Sequence, residues 1–135
     1  MWRIAVAGFS GPLFFLALVS LGCGRNGHVR ISDADLPGTY VASFNTGTEK
    51  LILYSDNTYE QIFSSPAKSF TNRGKWETKY VLLGGTDIGL IHANCGEEHP
   101  VVISECYRNL NVHREGGKLK LALNESADWY YEQVN

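Results

Sequence analysis

Within fifteen residues the chain places His92, Cys95, His99 and Cys106, spaced H-x2-C-x3-H-x6-C, with Glu97 and Glu98 between them. Imidazoles and thiolates are zinc and copper ligands, so these four residues are a candidate metal site. The segment lacks the C-x2-C or H-x3-H pairs that preorganise a zinc site. A second chemistry competes for two of the same residues. Cys95 and Cys106 enclose ten residues and can be joined as a disulfide, between adjacent strands or at the base of one long loop. Closing that loop would constrain the unfolded chain by about 2–3 kcal/mol. Acid/base work by His92, His99, Glu97, Glu98 and Glu105 has no supporting context. There is no G-x-S-x-G elbow, no HExxH and no phosphate loop. The chain is expected to be no enzyme and to need no cofactor.

Which chemistry the cysteines perform depends on the compartment, and the N-terminus speaks to that. Arg3 is the one charge before a run from Ile4 to Leu21 that carries none. The densest part is Leu13-Phe14-Phe15-Leu16-Ala17-Leu18-Val19, followed by the small residues Ser20 and Gly22. A basic start, an apolar stretch and small residues before a cut describe a secretory signal peptide over 1–22. Gly8, Gly11 and Pro12 interrupt the run, which leaves it short for a membrane span. Ser20-Leu21-Gly22-Cys23 resembles the lipobox of bacterial lipoproteins, in which the cysteine becomes the acylated first residue. That resemblance implies lipid on Cys23, a membrane as partner and, with Gly24 rather than aspartate next, the outer membrane. An extracytoplasmic setting favours a Cys95–Cys106 disulfide over a metal site.

The full chain has 135 residues, 12 Lys+Arg, 14 Asp+Glu and a net charge of −2, with 44% hydrophobic residues. That length suits one domain once the leader is gone. The near-neutral charge, without a basic cluster, excludes a nucleic-acid partner. Residues 24–36 are polar with little periodicity and are expected to form a tether, so the domain would occupy 37–135.

The elements that must position these residues read as strands. Thr39–Phe44, Lys50–Tyr54, Thr58–Phe63, Gly74–Lys79, Ile88–His92, Val101–Tyr107, Asn109–His113, Lys118–Leu123 and Trp129–Val134 are β-rich. Tyr80–Leu83 continues the pattern until it stops at Gly84-Gly85, and residues 64–73 read as a polar loop around Pro66. Asp56-Asn57 suits the positive φ of a tight hairpin. Leu119, Leu121 and Leu123 alternate with Lys118, Lys120 and Ala122, the signature of a strand with one buried face. Turn signals every eight to twelve residues and no helical periodicity predict an all-β fold of about eight antiparallel strands. Closure into an up-and-down barrel would remove its edges.

Leu36-Pro37-Gly38-Thr39-Tyr40, Leu51-x-Leu53, Asp56-Asn57-Thr58-Tyr59, Gly74-Lys75-Trp76 and Val81-x-Leu83 together resemble small lipocalin-like bacterial lipoprotein domains, the NlpE-type N-terminal barrel among them. The C-x-x-C pair of NlpE-type domains has no counterpart here. The resemblance thus implies a lipid-anchored barrel and no activity. Tyr40, Tyr59 and Trp76 are expected to plug the barrel as core aromatics or to touch a ligand. Two functions fit: a module for a small apolar ligand, with 84–100 gating its mouth, or an envelope protein-interaction module using Tyr54, Tyr107 or Tyr130. Either would act as a monomer.

Overall fold

The computed structural model describes residues 30–82, 84–93, 106–124 and 128–134. Eight strands follow one another: β1 (Gly38–Phe44), β2 (Gly47–Leu53), β3 (Thr58–Ser64), β4 (Ser69–Tyr80), β5 (Thr86–Ile91), β6 (Tyr107–Glu115), β7 (Lys118–Asn124) and β8 (Trp129–Val134). Each pairs antiparallel with the next, and β8 returns to β1, so the all-β barrel is closed and of the up-and-down type. Among the described residues no helix is long and apolar enough to cross a membrane.

Period-two alternation decides which side chains enter. Leu53 faces Tyr59, Tyr59 faces Gly74, Trp76 faces Leu90, and Leu121 faces Tyr131 across successive ladders. Partners in register share a face, so these residues line the interior. Asn57 takes φ 66° in the β2–β3 turn, where Asp56 Oδ1 accepts from the Thr58 N–H at 3.0 Å.

Strand alternation also sorts the connections. Residue 38, the β2–β3, β4–β5 and β6–β7 turns, and the end of β8 lie at one end, called here the entry end. The other four connections lie at the far end, including β5–β6, whose residues 94–105 are outside the described set.

The entry end is plugged by the chain that precedes β1. Ile31 and Leu36 are buried in the core, on either side of a 3-10 turn, Asp33–Asp35. The Ile31 N–H donates to Thr86 Oγ1 (2.8 Å), and the Tyr40 hydroxyl donates to the Leu36 carbonyl (2.6 Å). Residues 31–36, read from sequence as tether, therefore belong to the folded unit. Their two apolar side chains are worth more inside than in water.

Two other readings of the sequence differ from the structure. Ser69–Arg73, expected in a loop, forms the first part of a twelve-residue β4 paired with β3. Val81 and Leu82, expected in a strand, lie in the β4–β5 turn, closed by Gly84 N–H to Val81 O (2.9 Å) and Val81 N–H to Gly85 O (3.0 Å).

Candidate functional site

The entry half of the barrel is apolar: Tyr40, Leu53, Trp76, Ile88, Leu119 and Leu121 are all buried. The far half is different. Glu49 on β2, Gln61 on β3, Asn72 on β4, Arg108 on β6 and Tyr131 on β8 are in phase with apolar inward neighbours, so alternation drives polar groups into the interior. Glu49 and Gln61 are among the few buried polar residues.

Their hydrogen bonds converge on one atom. Glu49 Oε1 accepts from Gln61 Nε2, from the Tyr131 hydroxyl and from Arg108 Nη1 (3.3 Å). Arg108 Nη1 also donates to the Tyr131 oxygen at 3.0 Å. The side chains of Arg108 and Glu49 are 11% and 6% exposed, so this ion pair sits where water screens it little. Among the described residues, Glu49 Oε2 accepts no hydrogen bond, and Arg108 Nε and Nη2 donate none. Those are buried polar atoms with capacity to spare.

Asn72 extends the cluster toward β5. Its Nδ2 donates to the His92 carbonyl (2.8 Å) and lies 3.4 Å from the Tyr59 hydroxyl and 3.5 Å from Gln61 Oε1. The Tyr59 hydroxyl donates to the Ile91 carbonyl at 3.0 Å. Burial pushes the Tyr59 phenol up to about 12, against a smaller lowering by Asn72. Burial raises Tyr40 to about 12 as well. Tyr131 is pushed well above the usual phenol value, first by burial and then by the Glu49 charge. All three are held as neutral phenols, able to donate.

Aromatic rings border the cluster at the far end. Phe63 and Phe70 stack with centroids 5.5 Å apart, and Phe44 meets Trp129 edge-on at 5.9 Å. Nearby, Glu60, Thr71, Asn72 and Arg73 line an open depression of about 390 Å³, and Arg73 pairs with Glu60 at 3.3 Å.

Comparisons with protein-family models, with curated proteins and with solved structures found no match. The site is therefore read from its own chemistry.

The sequence-derived candidates fall as follows. Tyr40, Tyr59 and Trp76 are 0%, 1% and 3% exposed. Trp76 Nε1 donates to the Tyr54 carbonyl at 3.0 Å at the entry end, and Tyr40 holds the plug. Tyr59 alone of the three joins the polar cluster. Cys23, Cys95 and His99 lie outside the described residues. His92 is exposed with φ 59°, and its backbone carbonyl, not its ring, reaches Asn72. Among the described residues no three His, Cys, Asp or Glu side chains are grouped for a metal.

The outward tyrosines are partly committed to the sheet. Tyr107 is 41% exposed and lies over Gly89, where a Cβ would meet its ring. It also donates to Glu77 (3.2 Å) beneath Lys79, 4.3 Å from the ring centroid. Tyr130 is half-buried, edge-on to His113 at 6.2 Å.

Sequence reasoning did not single out Glu49, Gln61, Asn72, Arg108 or Tyr131. The signal was present: Glu49-x-Leu51-x-Leu53, Tyr59-x-Gln61-x-Phe63 and Arg108-x-Leu110-x-Val112 place each polar residue two positions from an inward apolar one.

Proposed function

We propose that this chain is an exported bacterial lipoprotein, acylated on Cys23, whose non-catalytic barrel binds a small amphiphile at its far end. The observation that carries the binding reading is the buried Arg108–Glu49 pair, with guanidinium donors left over in the polar far half of the barrel. A buried ion pair is rarely worth more to stability than apolar side chains of equal volume. Its presence is better explained by recognition. Arg108 Nε and Nη2 would donate to a carboxylate, phosphate or hydroxyl head group, while Phe63, Phe70, Phe44 and Trp129 would cover the apolar remainder. A ligand with a polar head suits these residues better than a wholly apolar one. The commitment of Tyr107 to Gly89, Glu77 and Lys79 makes it a poor free anchor for a protein partner.

Export and anchoring rest on the uncharged run before Cys23 and on the resemblance to NlpE-type barrels, with which the closed barrel is compatible. A Cys95–Cys106 disulfide is part of the same reading. It is supported by the Ala93 N–H, which donates to the Cys106 carbonyl at 2.9 Å and holds Cys106 beside the end of β5. Native mass spectrometry of the protein taken from its own envelope tests all three parts. The expected mass carries acyl chains on Cys23, lacks two hydrogens at the cysteine pair, and shows a bound small molecule that Arg108→Leu abolishes. An intact leader without acyl chains would refute the anchor. A ligand retained equally by Arg108→Leu would refute the site.

A further inference from the structure

Among the described residues, six large hydrophobic side chains are exposed: Tyr54, Tyr80, Val81, Leu82, Tyr107 and Val134. The alternation of the barrel sorts them. Tyr54 follows β2, Tyr80 ends β4, Val81 and Leu82 lie in the β4–β5 turn, and Val134 ends β8, so all but Tyr107 project at the entry end. Leu82 is wholly exposed at the tip of its turn. The chain enters at this same end. Arg30 stacks on the Tyr80 ring at 4.4 Å, and the Tyr80 hydroxyl donates to Asp33 Oδ1 at 2.8 Å. The start of the folded unit is thus pinned beside the apolar tip.

Arg30 is seven residues from Cys23, a stretch that spans at most about 25 Å fully extended. We infer that the entry end of the barrel docks on the phospholipid surface that holds Cys23, with the Tyr80-Val81-Leu82 turn immersed in its headgroup region. The inference rests on the acylation of Cys23 proposed above. So short a connection keeps this end within reach of the bilayer and lets the turn settle without further ordering of the chain. Val81 and Leu82 supply apolar surface. Tyr80, with an apolar ring and its hydroxyl fixed by Asp33, has the amphipathic form that favours the membrane–water boundary. Basic Arg30, Lys79, Arg114 and Lys118 at this end stand with acidic Asp33, Asp35, Asp56, Asp87 and Glu115, which leaves no basic excess, so contact is apolar in origin and insensitive to salt.

The test uses the full lipidated chain, reconstituted in phosphatidylcholine vesicles with and without brominated acyl chains. It compares Leu82→Trp with Thr46→Trp, which places the same reporter in the β1–β2 turn at the far end. Leu82→Trp is expected to shift its emission to the blue and to lose about half of its added intensity to bromine, because the turn lies at the headgroup–acyl boundary. Thr46→Trp is expected to do neither. Equal emission from both reporters, with acyl chains on Cys23 seen by mass, overturns docking and leaves the anchor standing. A mass without acyl chains overturns both. A blue shift in native envelopes without bromine quenching means that a protein covers the turn, and it too overturns the inference.

Discussion

Three donors reach a single oxygen of Glu49, and the energetics of that convergence are open to experiment. Removing Arg108 leaves a buried carboxylate without its counter-charge, and removing Glu49 leaves a buried guanidinium. Arg108→Leu or Glu49→Leu should each lower stability by roughly 3–5 kcal/mol in urea unfolding. The triple variant Glu49→Leu/Arg108→Leu/Tyr131→Phe removes the pair together with the hydroxyl that bonds it. It should recover most of that loss, because an apolar filling needs no desolvated charge. A triple variant as unstable as the sum of its parts would mean that the cluster is a stabilising strut. The phenols give a second prediction. Their pKa values are raised in the folded state, to about 12 for Tyr40 and Tyr59 and well above the ordinary phenol value for Tyr131. Against an ordinary value near 10, folding holds them protonated. Their contribution to stability is complete below pH 10 and is lost as pH climbs from 10 through 12. Tyrosinate absorbance should rise in two stages, the later one coinciding with loss of the sheet's circular dichroism. A single smooth titration of all seven tyrosines with the sheet intact would contradict this.

At the level of strands, close approach fixes two glycines. A Cβ on Gly74 would meet the Ile91 carbonyl and the Tyr59 ring and hydroxyl, the latter at 2.7 and 2.8 Å. The backbone oxygen cannot swing aside. Gly74→Ala should therefore cost about 1–3 kcal/mol and should disturb the Tyr59–Asn72 contact, visible as a shift of the Asn72 side-chain amide in NMR spectra. At Gly89 the obstacle is the Tyr107 ring, which can rotate off, so Gly89→Ala should be milder and should be rescued by Tyr107→Ala. Much of this barrel was legible in the sequence. Lys118–Leu123 announces its inward leucines, and Asp56-Asn57 announces its turn. Ala122 is nonetheless buried although it faces outward, because Tyr130 is its partner in register. What was hidden follows one rule: polar residues on a strand are ordinarily read as solvent-facing. That rule concealed Ser69–Arg73, whose inward positions are Phe70 and Asn72. It also concealed Glu49, Gln61 and Arg108, which lie in phase with apolar neighbours. The opposite error came from Val81 and Leu82, whose apolar character suits a strand but which stand out in solvent in a turn.

For the molecule as a whole, the ring of ladders is completed only where β8 meets β1, pairing Thr39–Val41 with Val134–Glu132. Ending the chain at Asp128 would remove β8, expose two sheet edges and withdraw Tyr131 from the core. Such a truncation should abolish cooperative thermal unfolding rather than merely lower its midpoint. The same closure governs timing. The two strands that seal the cylinder come from opposite ends of the domain, so their contact has the greatest sequence separation the fold contains and is slow to find. A chain threading a translocation channel from its N-terminus delivers β1 first and β8 last. Until its final residues have crossed, it cannot complete its native structure on either side of the membrane. If the chain is exported as proposed above, the barrel therefore closes only after β8 has crossed.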